Sequence, residues 1–270
     1  MNKKKRDTLY SIWSILILIS VLLVLFSLLF ASATKDYGSG KAKDNTAAAS
    51  GTDAVDNQSV KALTTSALLA VSTDAGNDYI GRMTFLCDST TAGLKPNSLL
   101  PDGAETKKVL STADGKLALT ALASAKISTA DGEASITDAV KAAKPDILVI
   151  TLGVDGAAYM GETYFTTQYK SLLTDIKAAC PNTVIICNSI LPVSQTYGTA
   201  NGMTADTVRQ ANNWIQQSAA DSGCKYADSY SALCDDNGYL QASFDSGDGL
   251  NPNAAGLTAM INYLRTHAVS

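Results

Sequence analysis

The feature that most constrains this chain is the segment from Asp146 to Leu152, which reads Asp-Ile-Leu-Val-Ile-Thr-Leu and contains a continuous run of Ile, Leu and Val. A strand with one solvent-exposed face alternates apolar and polar residues, and this segment does not alternate in that way. It is typical of a strand buried on both faces, as in parallel sheets that are covered by helices on both sides. Met83 to Cys87 is a shorter run of the same kind. The sequence therefore predicts a central, mostly parallel sheet.

Helix-like and strand-like patterns alternate around these two strands. Before Pro145, residues Thr137 to Ala143 have helical spacing, and Pro181-Asn182 ends a longer helical pattern. The later predicted elements are a helix over Glu162 to Cys180, a strand over Thr183 to Ile190, a helix containing Val208 to Ala219, a strand over Tyr226 to Asp228 and a helix over Leu257 to Arg265. This order predicts an α/β fold, a three-layer α/β/α sandwich. Residues 111–135 are interpreted as a loop or small hairpin inserted near the site.

The N-terminus has the pattern of a membrane segment. Basic residues between Lys3 and Arg6 precede an uncharged apolar run from Leu9 to Ala31, which is long enough to cross about 30 Å of hydrocarbon as a helix. The length favours a transmembrane anchor over a secretory signal cleaved near Ala33. We expect the N-terminus to be cytoplasmic and the rest extracytoplasmic, at the plasma membrane. The predicted parts are therefore an anchor (1–33), a flexible linker (34–59) and an α/β domain (60–270).

Composition limits the partners and the redox chemistry. The net charge of −4 argues against nucleic acid as a ligand. Five cysteines in an exported domain permit disulfides, and the odd number leaves at least one unpaired. We expect Cys87 to be unpaired, with Cys180–Cys224 or Cys224–Cys234 as competing pairs. The alternative is that all five are reduced residues packed as small hydrophobes.

Polar residues follow the two buried strands and precede the last helix. Ser89 follows Met83 to Cys87, Asp155 follows Asp146 to Leu152, and a loop from Asp248 to Asn253 leads into the final helix. Ligands of open α/β sheets bind beyond the carboxyl ends of the strands, so these residues are expected to meet there. Each also has a purely structural interpretation, since Asp and Ser cap helices and Asp-Gly forms tight turns.

These segments, Phe85-Leu86-Cys87-Asp88-Ser89, Ile150-Thr151-Leu152-Gly153-Val154-Asp155 and Asp248-Gly249-Leu250-Asn251, resemble the motif blocks of the SGNH (GDSL-like) hydrolases, in that family's order. The resemblance implies ester chemistry without a cofactor or metal. It implies Ser89 as nucleophile and oxyanion donor, Gly103 as the second oxyanion residue, and Asp248 as the carboxylate that orients the base.

Asn251 stands where the family has its catalytic histidine. A serine hydroxyl needs a base to take its proton, and a carboxamide has no lone pair basic enough for that task. The single histidine of the chain, His267, lies near the end of the last predicted helix, about 20 Å from Asn251 if that helix is straight. We therefore expect His267 to be a tail residue and not a base.

Two further positions depart from the family pattern. Asp155 stands where the family has an asparagine that donates to the oxyanion, and an ionised carboxylate can only accept. A protonated Asp155 would still donate. Cys87 replaces a glycine before Asp88, and we interpret it as a packed side chain.

Three functions are consistent with this sequence. The favoured one is a membrane-tethered domain with impaired catalysis that binds an acylated glycan of the cell envelope or a protein partner. The second is an active esterase, acetyl transferase or deacetylase that acts on cell-surface carbohydrate through Ser89. The third is an unrelated flavodoxin-like or metal-binding module, in which Asp88, Asp155 and Asp248 would hold a hard cation.

Overall fold

The computed structural model describes residues 64–269. The predicted anchor, the predicted linker and the first residues of the predicted domain lie outside this range. Within it, no helix combines the length and the apolarity that a bilayer crossing requires.

A five-stranded parallel sheet forms the centre of the domain that the structure describes. Its strands are β1 (Met83–Cys87), β2 (Val109–Leu110), β5 (Ile147–Thr151), β6 (Val184–Asn188) and β7 (Lys225–Ala227), in the spatial order β2-β1-β5-β6-β7. β1 and β5 pair along their whole length, from Met83 opposite Ile147 to Cys87 opposite Thr151. The two strands with the strongest apolar runs are therefore neighbours inside the sheet, as a strand buried on both faces requires.

Helices connect the strands. They are α1 (Gly76–Gly81), α2 (Ser89–Ala92), α3 (Ile136–Ala143), α4 (Glu162–Ala179), α5 (Gln195–Asn201), α6 (Ala205–Asp221), α7 (Ser229–Leu233) and α8 (Ala254–Arg265). The long predicted helices and the strands at β1, β5, β6 and β7 are confirmed to within a few residues. The sequence pattern did not predict α1, β2, α5 or α7, which are short and carry little periodicity.

Alternate residues of the strands face two separate cores, which gives the described domain three layers. Leu148 and Ile150 pack with α3, α4 and α6 on one face, whereas Ile147 and Val149 pack with α1 and α8 on the other. All four of these side chains are buried completely. The predicted α/β/α sandwich with a parallel sheet is confirmed.

The insertion between β2 and α3 contains the expected hairpin. β3 (Ile127–Thr129) pairs antiparallel with β4 (Gly132–Ala134), and the loop before them begins at the carboxyl end of β2. Because β2 lies beside β1, this loop comes to the same sheet edge as Ser89.

The cysteines do not pair. All five thiols are free, so neither of the two expected disulfides forms and the reduced alternative describes this structure. The thiol of Cys224 lies beside that of Cys187, on the neighbouring strand, and its hydrogen bond with Cys187 lowers the pKa of Cys224.

Candidate active site

The turn after β1 presents Ser89 at the carboxyl edge of the sheet. The Asp88 amide donates to the carbonyl of Thr151 at 3.0 Å, which ties the turn to the end of β5. Ser89 is the first residue of α2, is partly exposed, and forms no side-chain hydrogen bond with another residue in the described part of the chain. Its hydroxyl is therefore available to a ligand and is not engaged by a base.

Asp88 is buried directly beneath this turn. Its Oδ1 accepts the Thr90 amide at 3.0 Å and the Thr90 hydroxyl at 2.6 Å, which caps α2. Its Oδ2 is buried without a hydrogen-bond partner. Burial raises the pKa of Asp88 to about 7; the Thr90 hydrogen bonds oppose this shift, and the Asp155 charge adds to it. Asp88 thus supports the nucleophile turn and can carry a proton near neutral pH.

The loop before α8 is organised by Asp248. Asp248 Oδ1 accepts the amides of Leu250 and Asn251, both at 2.8 Å, and Oδ2 accepts Asn251 Nδ2 at 2.7 Å. Partial burial raises the pKa of Asp248, but these hydrogen bonds outweigh it and leave the pKa below its ordinary value. Asp248 is therefore an ionised acceptor that fixes the Asn251 side chain.

A glycine allows this loop to dock on the rest of the domain. Gly249 has φ +77°, and a Cβ there would lie 2.9 Å from the Cβ of Tyr197 and would overlap the Ser194 hydroxyl. The Gly249 carbonyl accepts the Ser194 amide at 2.7 Å. Only glycine satisfies both the left-handed backbone and this close approach.

The contact with Asp248 fixes which end of the Asn251 amide faces that carboxylate. An ionised Asp248 cannot donate, so the Asn251 NH₂ group must face it and the carbonyl oxygen must point away. That oxygen, Oδ1, is buried and has no hydrogen-bond partner. The pair reproduces the donor contact between a triad histidine and its aspartate, but the free end is a neutral oxygen in place of a basic nitrogen.

A cleft of about 330 Å³ brings the predicted residues together. Ser89, Asp155 and Asn251 all line it. The other lining residues come from the loop after β2 and from the α5 region: Lys116, Leu117, Ala118, Val154, Tyr197, Met203 and Leu250. The expected convergence of the three motif blocks at one sheet edge is therefore present in the structure. No hydrogen bond joins Ser89 to Asn251 within the described residues.

Asp155 acts as an acceptor in this arrangement. Its Oδ1 accepts the Leu119 amide at 3.0 Å, and its Oδ2 accepts the amide and the hydroxyl of Thr120 at 3.2 and 2.9 Å. The carboxylate thus secures the inserted segment to the loop after β5. Every hydrogen bond that it forms here uses it as acceptor, which is the opposite of what an oxyanion requires.

Gly103 does not fit its expected role. It does not line the cleft, and its amide donates to the Leu100 carbonyl at 3.0 Å. That amide is not available to an oxyanion, so the assignment of Gly103 has no support from the geometry. The reason is topological: after Ser89 the chain leaves the carboxyl edge to begin β2 and returns to that edge only after β2, so residue 103 lies before the return.

Residues 111–135 were predicted as an insertion near the site, but the sequence did not identify which of them line the cleft. Lys116, Leu117 and Ala118 from this loop line the cleft, and Gly115 (φ +69°) packs beside Ala92 of α2. The signal was the apolar pair Val109-Leu110 followed by a turn with Asp114-Gly115. Recognition of that pair as a strand would have placed the following glycine and lysine at the site.

Two other residues considered as catalytic candidates, His267 and Cys87, do not line the cleft. His267 stacks on Tyr263, with ring centroids 3.8 Å apart, and does not line the cleft. Cys87 is buried, and burial raises the pKa of its thiol to about 12, so it packs in the core and is not a nucleophile.

A metal site is also not built from these residues. Among residues 64–269, no group of three His, Cys, Asp or Glu side chains is arranged to hold a metal ion. Asp88, Asp155 and Asp248 occupy separate hydrogen-bonded positions.

Comparison with known proteins gives the family. The model of the GDSL-like lipase/acylhydrolase family matches residues 85–259. A candidate platelet activating factor from Streptococcus pneumoniae superposes with a TM-score of 0.52 at 16% identity, over 79% of this chain and 98% of that one. A candidate GDSL-like lipase from Parabacteroides merdae superposes with a TM-score of 0.50 at 15% identity, over 74% and 98%. A search of curated proteins gave no match.

Identities this low indicate a common fold and carry no information on substrate. The family match is stronger, because it spans more than half of the chain and includes Ser89, Asp155 and Asn251. This chain belongs to the GDSL-like lipase/acylhydrolase (SGNH) family.

Proposed function

We propose that this protein is a membrane-tethered extracytoplasmic GDSL-like domain with impaired hydrolysis that binds a glycan of the cell envelope. The apolar segment Leu9 to Ala31 and its basic flank support the tether. The cleft with Ser89, Asp155 and Asn251 supports the binding site. A protein partner at the same cleft is the alternative occupant.

The Asn251–Asp248 pair is the observation that carries the proposal. The amide is held as a triad histidine would be, but it cannot take the Ser89 proton. Removal of the histidine of a serine triad lowers kcat by about 10⁶, or about 8 kcal/mol of barrier. Loss of one oxyanion donor costs about 3 kcal/mol more, and Asp155 adds negative charge where charge develops. Together these changes leave little of an esterase's rate.

The test is to restore the two family residues. In the double variant Asn251→His, Asp155→Asn, Ser89-dependent hydrolysis of p-nitrophenyl acetate should rise at least about 100-fold, since general-base catalysis typically contributes 10²–10⁴-fold. The same double variant with Ser89→Ala gives the background. Asn182→His, an exposed change remote from the cleft, controls for hydrolysis by a surface imidazole. Wild-type turnover that is lost in Ser89→Ala contradicts impaired hydrolysis.

Residual esterase, acetyl transferase or deacetylase activity through Ser89 is the second candidate. It is favoured by one observation, the presence of Lys116 in the cleft lining. An amine activates a serine only in its unprotonated form. If Lys116 is that base, Lys116→Met should abolish whatever Ser89-dependent rate the wild type has, while Lys107→Met, outside the cleft, should not.

The tether has a separate test. Intact-mass measurement of the protein from cell membranes should give the full chain from its N-terminal end. A chain that begins near residue 34 and is recovered from the medium would indicate a cleaved signal instead.

A further inference from the structure

We infer that Cys187 and Cys224 join in a disulfide when the folded domain meets a low-molecular-weight disulfide, with Cys224 as the attacking thiol. The inference goes beyond the cleft and does not depend on what the cleft binds. The proposed export would bring the domain into an oxidising compartment, where such a bond persists.

The first step concerns the position of the two thiols. β6 and β7 are parallel neighbours, and Cys187 lies opposite Tyr226, two residues after Cys224. Cys187, Cys224 and Tyr226 all pack in the same core, on one face of the sheet. The Cys187 thiol donates a hydrogen bond to the Cys224 sulfur. The two sulfurs are therefore neighbours in the reduced protein.

The backbone around Cys224 leaves room for the bond to close. The pairing of β6 with β7 begins at Lys225, so Cys224 lies just outside the ladder. It follows Gly223, which has φ +62°. A small movement of Cys224 toward Cys187 therefore does not require the two strands to separate.

The structure favours this pair over the other thiols. Cys87 lies on β1, which β5 separates from β6, and it packs in the opposite core. The Cys234 thiol donates to the Ser231 carbonyl of its own helix at 3.9 Å. Cys187 is thus the thiol whose hydrogen bond reaches Cys224.

The surroundings of the two thiols assign the order of attack. Cys224 is 7% exposed, whereas Cys187 is buried completely. The Cys187 hydrogen bond and, to a smaller extent, the Lys177 ammonium lower the pKa of Cys224 against the effect of burial. Burial and the neighbouring Cys224 raise the pKa of Cys187. Because the thiolate is the reacting form, Cys224 attacks first and Cys187 completes the exchange.

The reaction consists of two exchange steps. The Cys224 thiolate attacks one sulfur of the small disulfide, which forms a mixed disulfide on Cys224 and releases one small thiolate. Cys187 gives its proton to that thiolate, and its sulfur then attacks the Cys224 sulfur and releases the second small thiolate. The two protein thiols are oxidised, and the small disulfide takes up the two electrons and becomes two thiols.

The experiment treats the full chain in detergent with hydroxyethyl disulfide, followed by an acid quench and mass measurement of the intact protein and its peptides. The peptides of the wild type should show one bond between Cys187 and Cys224, with the loss of two hydrogens, and dithiothreitol should reverse it. The double variant Cys180→Ser, Cys234→Ser should form the same bond, because neither thiol takes part.

Two further changes in that double variant test the order. Cys187→Ala should stop at one hydroxyethylthio adduct on Cys224, since the thiol that displaces it is gone. Cys224→Ala should stay unmodified, because Cys187 is buried. Native thermal unfolding is the control for both, and valine replaces alanine in a variant that does not fold.

The outcomes decide the inference without reference to glycan binding. A wild type that keeps both thiols free, or that joins Cys224 to Cys180 or Cys234, overturns the pairing. An adduct on Cys187 in Cys224→Ala overturns the order of attack. A Cys187–Cys224 bond in the wild type, with an adduct trapped on Cys224 in Cys187→Ala, supports both.

Discussion

The two carboxyls that hold the cleft residues in place have opposite surroundings. Asp88, beside Ser89, is 1% exposed and has one oxygen without a partner, whereas Asp248, beside Asn251, is exposed and accepts three strong hydrogen bonds. The pKa of Asp88 is raised to about 7 and that of Asp248 is lowered. The surroundings of Asp88, beside Ser89, are thus dominated by burial, and those of Asp248, beside Asn251, by hydrogen bonds. Under the proposed function, Asn251 takes the place of a base but cannot act as one.

The largest expected effect concerns the loop that carries Asp248. Gly249→Ala should destabilise the domain by about 2–4 kcal/mol, because it combines left-handed backbone strain with overlap at Ser194. Gly247→Ala is the matched control, since Gly247 also has positive φ (+103°) but open space around it. Urea unfolding measures both. Equal losses would show that the close docking of the loop contributes nothing.

Removal of the Asp88 charge should stabilise the domain at alkaline pH. A carboxyl whose folded pKa is about 7 binds its proton more tightly in the folded state, so stability is complete below about pH 4 and falls as pH rises through 7. Asp88→Asn removes that fall and should gain about 1–3 kcal/mol at pH 8. At pH 4 the gain should vanish. If Asp88→Asn instead lowers the stability at pH 8, the buried, ionised Asp88 does not destabilise the fold as proposed.

The same substitution at Asp248 should have the opposite sign. The pKa of Asp248 is lowered in the folded state, so its stabilisation is present above its unfolded pKa and disappears as pH falls through the folded value. Asp248→Asn should therefore destabilise at pH 8, by less than about 1 kcal/mol because the group is largely exposed. Thermal unfolding at pH 8 and pH 3 distinguishes the two carboxyls. If Asp248→Asn stabilises the domain at pH 8, the two carboxyls do not differ in the sign of their contribution to stability.

The smallest effect is a shift in a titration midpoint. Thr90 donates twice to Asp88, and its hydroxyl lowers the Asp88 pKa. Thr90→Val keeps the shape and removes the hydroxyl, so the pH at which stability falls should move upward. An unchanged midpoint would show that the hydroxyl does not act on Asp88.

Sequence and structure agree where the pattern is regular. Residues 146–152 predicted a strand buried on both faces, and Ile147–Thr151 is one. The motif order predicted that Ser89, Asp155 and Asn251 would meet at one edge, and they line one cleft. The family match also removes the interpretation as an unrelated module.

The predictions and the structure differ where a feature depends on contacts between residues that are far apart in the sequence. The two-residue strand Val109–Leu110 is too short to show a period, so Lys116 in the predicted insertion was not assigned to the site, and Gly103 was assigned to it instead. The direction of the Asp155 carboxylate depends on contacts with Leu119 and Thr120, some 35 residues away. Cysteine pairing depends on which strands are adjacent, and spacing alone does not determine that.

Covalent labelling of Ser89 tests the central claim most directly. A fluorophosphonate reacts with a serine only when a base activates its hydroxyl. After incubation and intact-mass measurement, the wild type should carry no adduct and Asn251→His should carry one adduct that disappears with Ser89→Ala. An adduct on Ser89 of the wild type that forms as fast as in Asn251→His would contradict the account, because the serine would then be activated without an imidazole at position 251.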